Sequence, residues 1–191
     1  MDMQIPRMQD LDLQGLRTMI RLDLNVPIEN GVITSAARIQ AALPTIEIAL
    51  SKGATVILLS HLGRPDPEAL DGSCSLEPVA RKLEELMGKP VCFLADWIEG
   101  IPDINDKLIV CENTRYLKGE KTNDESLSKQ IANLCDVYVM DAFGASHRRH
   151  ARKCGVAQYA GQACIGPVLR GEMEYLSKAV AEPEKPLVAI I

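Results

Sequence analysis

The feature that most constrains this chain is the alternation of short, apolar, β-branched runs with longer stretches of helical periodicity. Thr18 to Asp23, Ala54 to Ser60, Pro90 to Leu94, Lys107 to Glu112 and Val137 to Asp141 read as strands. Helices are expected between them. The first spans Ala36 to Lys52, with Thr34 or Ser35 as N-cap, Gly53 just past its end and a kink at Pro44. The second spans Leu76 to Met87, capped by Ser75, with Pro78 in its first turn and Gly88 at its end. The third spans Asp124 to Leu134, capped by Thr122 or Asn123. A strand followed by a helix, repeated in this way, implies right-handed crossovers and a mostly parallel sheet covered on both faces. The expected fold class is α/β, a doubly wound, mostly parallel sheet with helices on both faces.

At 191 residues and 47% hydrophobic content the chain can bury one sizeable core. A last helical stretch runs from Gly166-Pro167 to about Ala181, and the strand-like Leu187-Val188-Ala189-Ile190-Ile191 follows Pro183 and Pro186. A buried-type parallel strand with no crossover after it reads as the edge of a domain that the sequence does not contain.

Composition removes several classes of function. A net charge of -5, with two Phe, four Tyr and one Trp, is the wrong balance for a nucleic-acid surface, which needs broad basic charge and stacking aromatics. Asp2, Asp10 and Asp12 interrupt the first twenty residues, so neither a signal peptide nor a membrane anchor is expected there. Six cysteines at positions 74, 92, 111, 135, 154 and 164 form no C-x-x-C pair, and several fall in apolar runs such as Leu108-Ile109-Val110-Cys111. They read as reduced core thiols of a cytoplasmic protein, and no metal site is visible.

Ligands of open parallel sheets bind beyond the carboxyl ends of the strands. The loops at those ends carry Asp23-Leu24-Asn25, then Ser60-His61-Leu62-Gly63-Arg64, then Glu112-Asn113-Thr114-Arg115, then Asp141 to His150. All three histidines, His61, His147 and His150, lie in them. Arg64, Arg115 and Arg148 come from three different loops, and Arg38 sits near the start of the helix leaving the first. A planar guanidinium binds carboxylate or phosphate through two parallel hydrogen bonds, so arginines gathered on one rim suit a small, acidic, phosphorylated ligand. Taken singly, each feature has a plainer explanation: Asp23 and Asn25 could close a turn before Pro27, and a lone arginine at a strand end could be solvated. Neither G-x-x-x-x-G-K-[ST] nor G-x-G-x-x-G occurs, so no nucleotide phosphate loop is recognisable.

Arg21-Leu22-Asp23-Leu24-Asn25-Val26-Pro27, Ser60-His61-Leu62-Gly63-Arg64-Pro65, Glu112-Asn113-Thr114-Arg115-Tyr116 and Asp141-Ala142-Phe143-Gly144 with His147-Arg148 together resemble the N-terminal half of the phosphoglycerate kinase family. The resemblance covers essentially the whole chain in order. It implies an enzyme of glycolysis that moves a phosphoryl group between 1,3-bisphosphoglycerate and ADP, with Mg²⁺ accompanying the nucleotide on a separate C-terminal domain. It implies a monomer, with residues 1–170 as the domain that binds 3-phosphoglycerate. Residues 171–191 would be the interdomain helix and the first strand of the absent nucleotide-binding domain. Carried over by position, Asp23, Leu24, Asn25, Arg38, His61, Leu62, Gly63, Arg64, Arg115 and Arg148 would be substrate contacts. Arg38 would be the catalytic residue, and Arg21, His147 and His150 a wider basic patch. This half alone would bind 3-phosphoglycerate, hold no cofactor and catalyse nothing. Ser35-Ala36-Ala37, Leu24, Arg149 and Arg152 depart from the family's usual residues. The alternative is a stand-alone binding module for small phosphorylated acids.

Overall fold

The computed structural model describes residues 5–65, 72–102, 105–142 and 155–181. Six of its strands form one parallel sheet: β1 (Arg17–Arg21), β4 (Thr55–Leu59), β5 (Cys92–Leu94), β6 (Leu108–Cys111), β7 (Val137–Met140) and β8 (Gln162–Ile165), in the spatial order β5-β6-β4-β1-β7-β8. A separate two-stranded hairpin joins β2 (Ile28–Glu29) to β3 (Val32–Ile33). The helices are α1 (Ala37–Ser51), α2 (Glu77–Met87), α3 (Glu125–Ala132), α4 (Val156–Tyr159) and α5 (Pro167–Ala181).

Register explains the two-sided burial of the central strands. Ile20 of β1 pairs with Leu58 and Val139, and Met19 pairs with Ile57 and Tyr138, so each pleat position repeats across the sheet. Ile20, Leu58 and Val139 pack with Ile39 and Ile46 of α1 and Leu83 of α2 on one face. Met19, Ile57 and Tyr138 pack with Leu127 and Ile131 of α3 and Val156 of α4 on the other. All of these side chains except Leu127 are essentially without solvent contact, and each such aliphatic contributes about 1.5–3 kcal/mol by leaving water. Doubly wound architecture is therefore what two apolar faces on one set of strands require.

Helix ends depart from the sequence expectations by short distances. No side chain caps α1, although Thr34 and Ser35 precede it, and Pro44 lies inside it as expected. Ser75 does not occupy the N-cap of α2, yet its hydroxyl accepts from Glu77 N at 3.1 Å. Asp124, not Thr122 or Asn123, caps α3 by accepting from Leu127 N at 2.8 Å. Gly88 ends α2 in the left-handed conformation, φ 61°.

The strand β8 and the β2–β3 hairpin were not expected. Cys111, Cys135 and Cys164 are buried free thiols, and burial pushes the last two up to about 12. Cys74 and Cys92 are only half-buried. Cys154, the strand expected at Leu187 to Ile191 and the segment 143–154 lie outside the described residues. No helix among the described residues is long and apolar enough to cross a membrane.

Topology also fixes where a ligand can sit. From β1 the chain crosses through α1 to β4 on one side, whereas β7 lies on the other side of β1 and leads outward to β8. Connections diverge at the β1/β7 boundary, which opens a crevice at the carboxyl edge of the sheet.

Candidate functional site

Because every strand of the sheet is parallel, the residues that follow β1, β4, β6 and β7 all emerge at that edge. Side-chain hydrogen bonds then stitch the first three loops together. Leu24 N donates to Ser60 Oγ at 2.9 Å, and Gly63 N donates to Asn25 Oδ1 at 2.9 Å, which ties the loop after β1 to the loop after β4. Asn113 Nδ2 donates to the carbonyls of Leu62 (2.7 Å) and Cys74 (2.8 Å), and Thr114 Oγ1 donates to Ser60 O at 2.9 Å. These bonds bind the loop after β6 to the same frame. Glu112 extends the frame to α2: its carboxylate accepts from Leu76 N, Asn113 N and the Ser75 hydroxyl.

On this frame the basic residues occupy two depths. Arg38 and Arg64 stand in solvent, and Arg38 Nη1 donates to Asp23 Oδ2 at 2.8 Å. Arg115 is 9% exposed, and Arg21 is completely buried. Arg21 Nη1 reaches Leu59 O at 3.4 Å and Nη2 reaches His61 Nδ1 at 3.0 Å, while its Nε has no hydrogen-bond partner among the described residues. An arginine can only donate, so His61 Nδ1 accepts and the imidazole carries its proton on Nε2. Neither of these two partners is a carboxylate. Desolvation lowers the Arg21 guanidinium to about 10, and Arg115 pushes it the same way, while Tyr138 and Asp23 oppose. Arg21 remains a cation at neutral pH, and the inner wall of the rim is positive.

The residues expected at the site separate accordingly. Asp23, Asn25, Arg38, His61, Gly63, Arg64 and Arg115, with Arg21 beneath them, stand at the carboxyl edge. The side chains of Leu24 and Leu62 are buried in the core, with Leu24 N given to Ser60 and Leu62 O to Asn113, so what these two show is a part in holding the loops. His147, Arg148 and His150, together with Arg149 and Arg152, lie outside the described residues. Sequence reasoning placed Ser60, Glu112 and Asn113 in these loops and missed that they brace them. Their signal was present, since polar residues that close an apolar strand have to find partners.

Gly63 adopts φ +59°, and a Cβ there would stand 2.7 Å from Cys74 Sγ. Only glycine lets the backbone turn under Arg64 at this place. Beside Arg38 a cavity of about 330 Å³ opens at the β1/β7 crevice, lined by Leu22, Asp23, Arg38, Ala41, Ala42, Asp141, Ala142, Val168 and Glu172. Among the described residues no three His, Cys, Asp or Glu side chains come together in a way that could hold a metal ion. A positive, water-accessible rim over a rigid frame can bind and orient a small polyanion and stabilise charge that develops on it.

The comparisons with known proteins agree with one another. Residues 8–191 match the family described as Phosphoglycerate kinase. A curated relative, Phosphoglycerate kinase of Legionella pneumophila strain Paris, is 53% identical over 189 residues, which is 99% of this chain and 48% of the relative. Its counterpart in strain Lens is 54% identical over 190 residues, again 48% of the relative's length. The structure of phosphoglycerate kinase from Coxiella burnetii superposes with a TM-score of 0.90 at 47% identity, covering 95% of this chain and 46% of the other. That from Pyrococcus horikoshii OT3 superposes with a TM-score of 0.83 at 27% identity and covers 47% of its own chain. The chain spans about half the length of the relatives it matches.

Proposed function

The chain belongs to the phosphoglycerate kinase family, and from that premise we propose that it is the substrate-binding half of such an enzyme. On this reading the rim at the carboxyl edge holds 3-phosphoglycerate, and a nucleotide domain outside this sequence supplies ADP or ATP with Mg²⁺. The observation that carries the reading is the frame of strand-end loops, which brings Arg21, Arg38, Arg64 and Arg115 to one edge of the sheet. A phosphate and a carboxylate on one small ligand match such a set, because each guanidinium offers a two-pronged donor.

The residues divide the work by depth. Asn25 and Gly63 fix the first two loops to each other and set the width of the rim. Arg21 and Arg115 supply positive charge from beneath, where exclusion of water makes it act more strongly. Arg38 is the catalytic residue of this half: held by Asp23 and half in solvent, it can turn toward a phosphoryl group in transfer and stabilise the charge on its oxygens. The nucleotide and its metal would supply the leaving group and neutralise the β- and γ-phosphates. The described residues gather no three metal-binding side chains, so on this reading Mg²⁺ would arrive with the nucleotide. On this reading turnover needs a nucleotide domain to close over the rim and exclude water.

Amide chemical shifts recorded during titration with 3-phosphoglycerate test the placement. The expected shifts fall on Asp23, Asn25, Gly63, Arg64 and Arg115. Shifts confined to the opposite, amino-terminal edge of the sheet would overturn it.

A further inference from the structure

We propose that Asp141 is a positioning residue that couples the front half of α1, and with it Arg38, to α5. Asp141 follows β7 at the crevice and is 2% exposed. Its two carboxylate oxygens serve two different helices. Oδ2 accepts from the Thr45 hydroxyl in the middle of α1, and Oδ1 accepts from Leu169 N in the first turn of α5 at 2.8 Å. Its own backbone N donates to Arg21 O at 3.0 Å, two residues before Asp23. One side chain thus joins the end of β7, the body of α1 and the start of α5. Gly166 allows this approach, because a Cβ there would collide with the carboxylate.

What makes the joint more than a brace is its place in α1. Thr45 directly follows Pro44, which has no N–H to give to Gln40 O. The helix is weakest across that missing bond, and a proline is where a helix bends. Behind it, Thr45, Ile46 and Ala49 are fully buried. Ahead of it, Arg38, Ala41 and Ala42 border the cavity of about 330 Å³ whose far wall is Val168 and Glu172 of α5. The two helices are therefore pinned at Thr45, Asp141 and Leu169 and separated by open space in front of the pin. A shift of Arg38 bends α1 at Pro44, and the pin passes the displacement to the first turn of α5.

Hydrogen exchange of the α5 amides in four versions of the chain tests this without any ligand: the unaltered chain, Arg38→Ala, Thr45→Val and the double variant. Arg38→Ala releases the Asp23 contact and is expected to change exchange in the first two turns of α5 by about threefold or more, the scale of coupling carried by packed networks. In the Thr45→Val background the same change is expected to vanish, while amides of β1 and β7 stay protected in all four. A brace without coupling would give additive effects. If Thr45→Val also loosens β1 and β7, Thr45→Ala takes its place, since it removes the hydroxyl and leaves the Asp141 bond to Leu169 N in place. An Arg38→Ala effect of equal size in both backgrounds, or none on α5 at all, overturns the proposal. Loss of 3-phosphoglycerate binding is a separate observation that bears only on the proposed function.

Discussion

Arg38 Nη1 lies 2.8 Å from Asp23 Oδ2, with 52% of the arginine side chain and 34% of the aspartate still exposed. Solvent screens a pair this open, so it contributes at most about 1 kcal/mol to stability. Its consequence is positional: Asp23 holds the guanidinium beside the crevice that both residues line.

Replacing Arg38 by Ala is accordingly expected to shift the urea midpoint by less than about 0.5 kcal/mol equivalent, as for an exposed surface change. In a full-length enzyme carrying this half, kcat should fall far more than 3-phosphoglycerate binding weakens, because the interaction is made chiefly in the transition state. Steady-state kinetics with a parallel binding titration decide it. Equal losses in kcat and affinity would remove Arg38 from the catalytic role.

Asp141 should make stability depend on pH in a particular direction. Burial raises its carboxyl above the ordinary carboxylate range and Glu172 adds to that, against hydrogen bonds from Thr45, Leu169 and Val168. Between the ordinary and the raised value the folded chain binds more protons than the unfolded one, so this contribution falls as pH rises through that window. Relative to Asp141→Asn, the unaltered chain should gain stability as pH is lowered from about 7 toward roughly 4. Chemical denaturation of both across that range is the check. A difference that is flat, or that grows with pH, contradicts the raised carboxyl.

The core strands β1, β4, β5, β6 and β7 were legible because runs such as Leu108-Ile109-Val110-Cys111 are apolar on both faces, a pattern that survives without knowledge of neighbours. Strand β8 was not, because Gln162–Ile165 is a four-residue edge strand that is only partly buried. The hairpin carried a signal that went unread: Asn30 and Gly31 both take positive φ, 51° and 78°, as their Asn-Gly sequence favours. At the site, Asp23, Arg64 and Arg115 could be named because charged residues after apolar runs mark strand ends, and Arg38 because it sits near the start of the helix leaving the first of those loops. The burial of Arg21 and the partners that Ser60, Glu112, Asn113 and Asp141 find could not, since each partner lies dozens of residues away. His147, Arg148 and His150 lie outside the described residues.

Arg21 tests whether the buried charge serves binding or folding. A fully buried cation pays a large desolvation cost, and an apolar side chain of similar volume is often as stable or more so. Arg21→Met should leave the ligand-free denaturation midpoint within about 1 kcal/mol of the unaltered chain and weaken anion binding. A loss above about 3 kcal/mol would make Arg21 a structural residue instead.

Gly63→Ala should destabilise the chain by about 1–2 kcal/mol, since an L-residue is strained at φ +59° and its Cβ meets Cys74 Sγ. It should also weaken 3-phosphoglycerate binding by displacing the Asn25 contact. Thermal unfolding and calorimetric titration of the variant give both readings. Wild-type behaviour in both would show that the turn under Arg64 is not set by this glycine.

The central proposal is that the rim at the carboxyl edge selects 3-phosphoglycerate over a nucleotide, and thermal unfolding with 3-phosphoglycerate, ATP and sulfate in parallel addresses it most directly. With 3-phosphoglycerate at ~100 times its dissociation constant, the folded state gains about 2.7 kcal/mol. In a domain of this size that gain raises Tm by roughly 5 to 10 °C. The shift should shrink with added salt, because an open rim is screened. Sulfate is expected to give a smaller shift and ATP none. A shift with ATP alone, or equal shifts with all three, would contradict the claim.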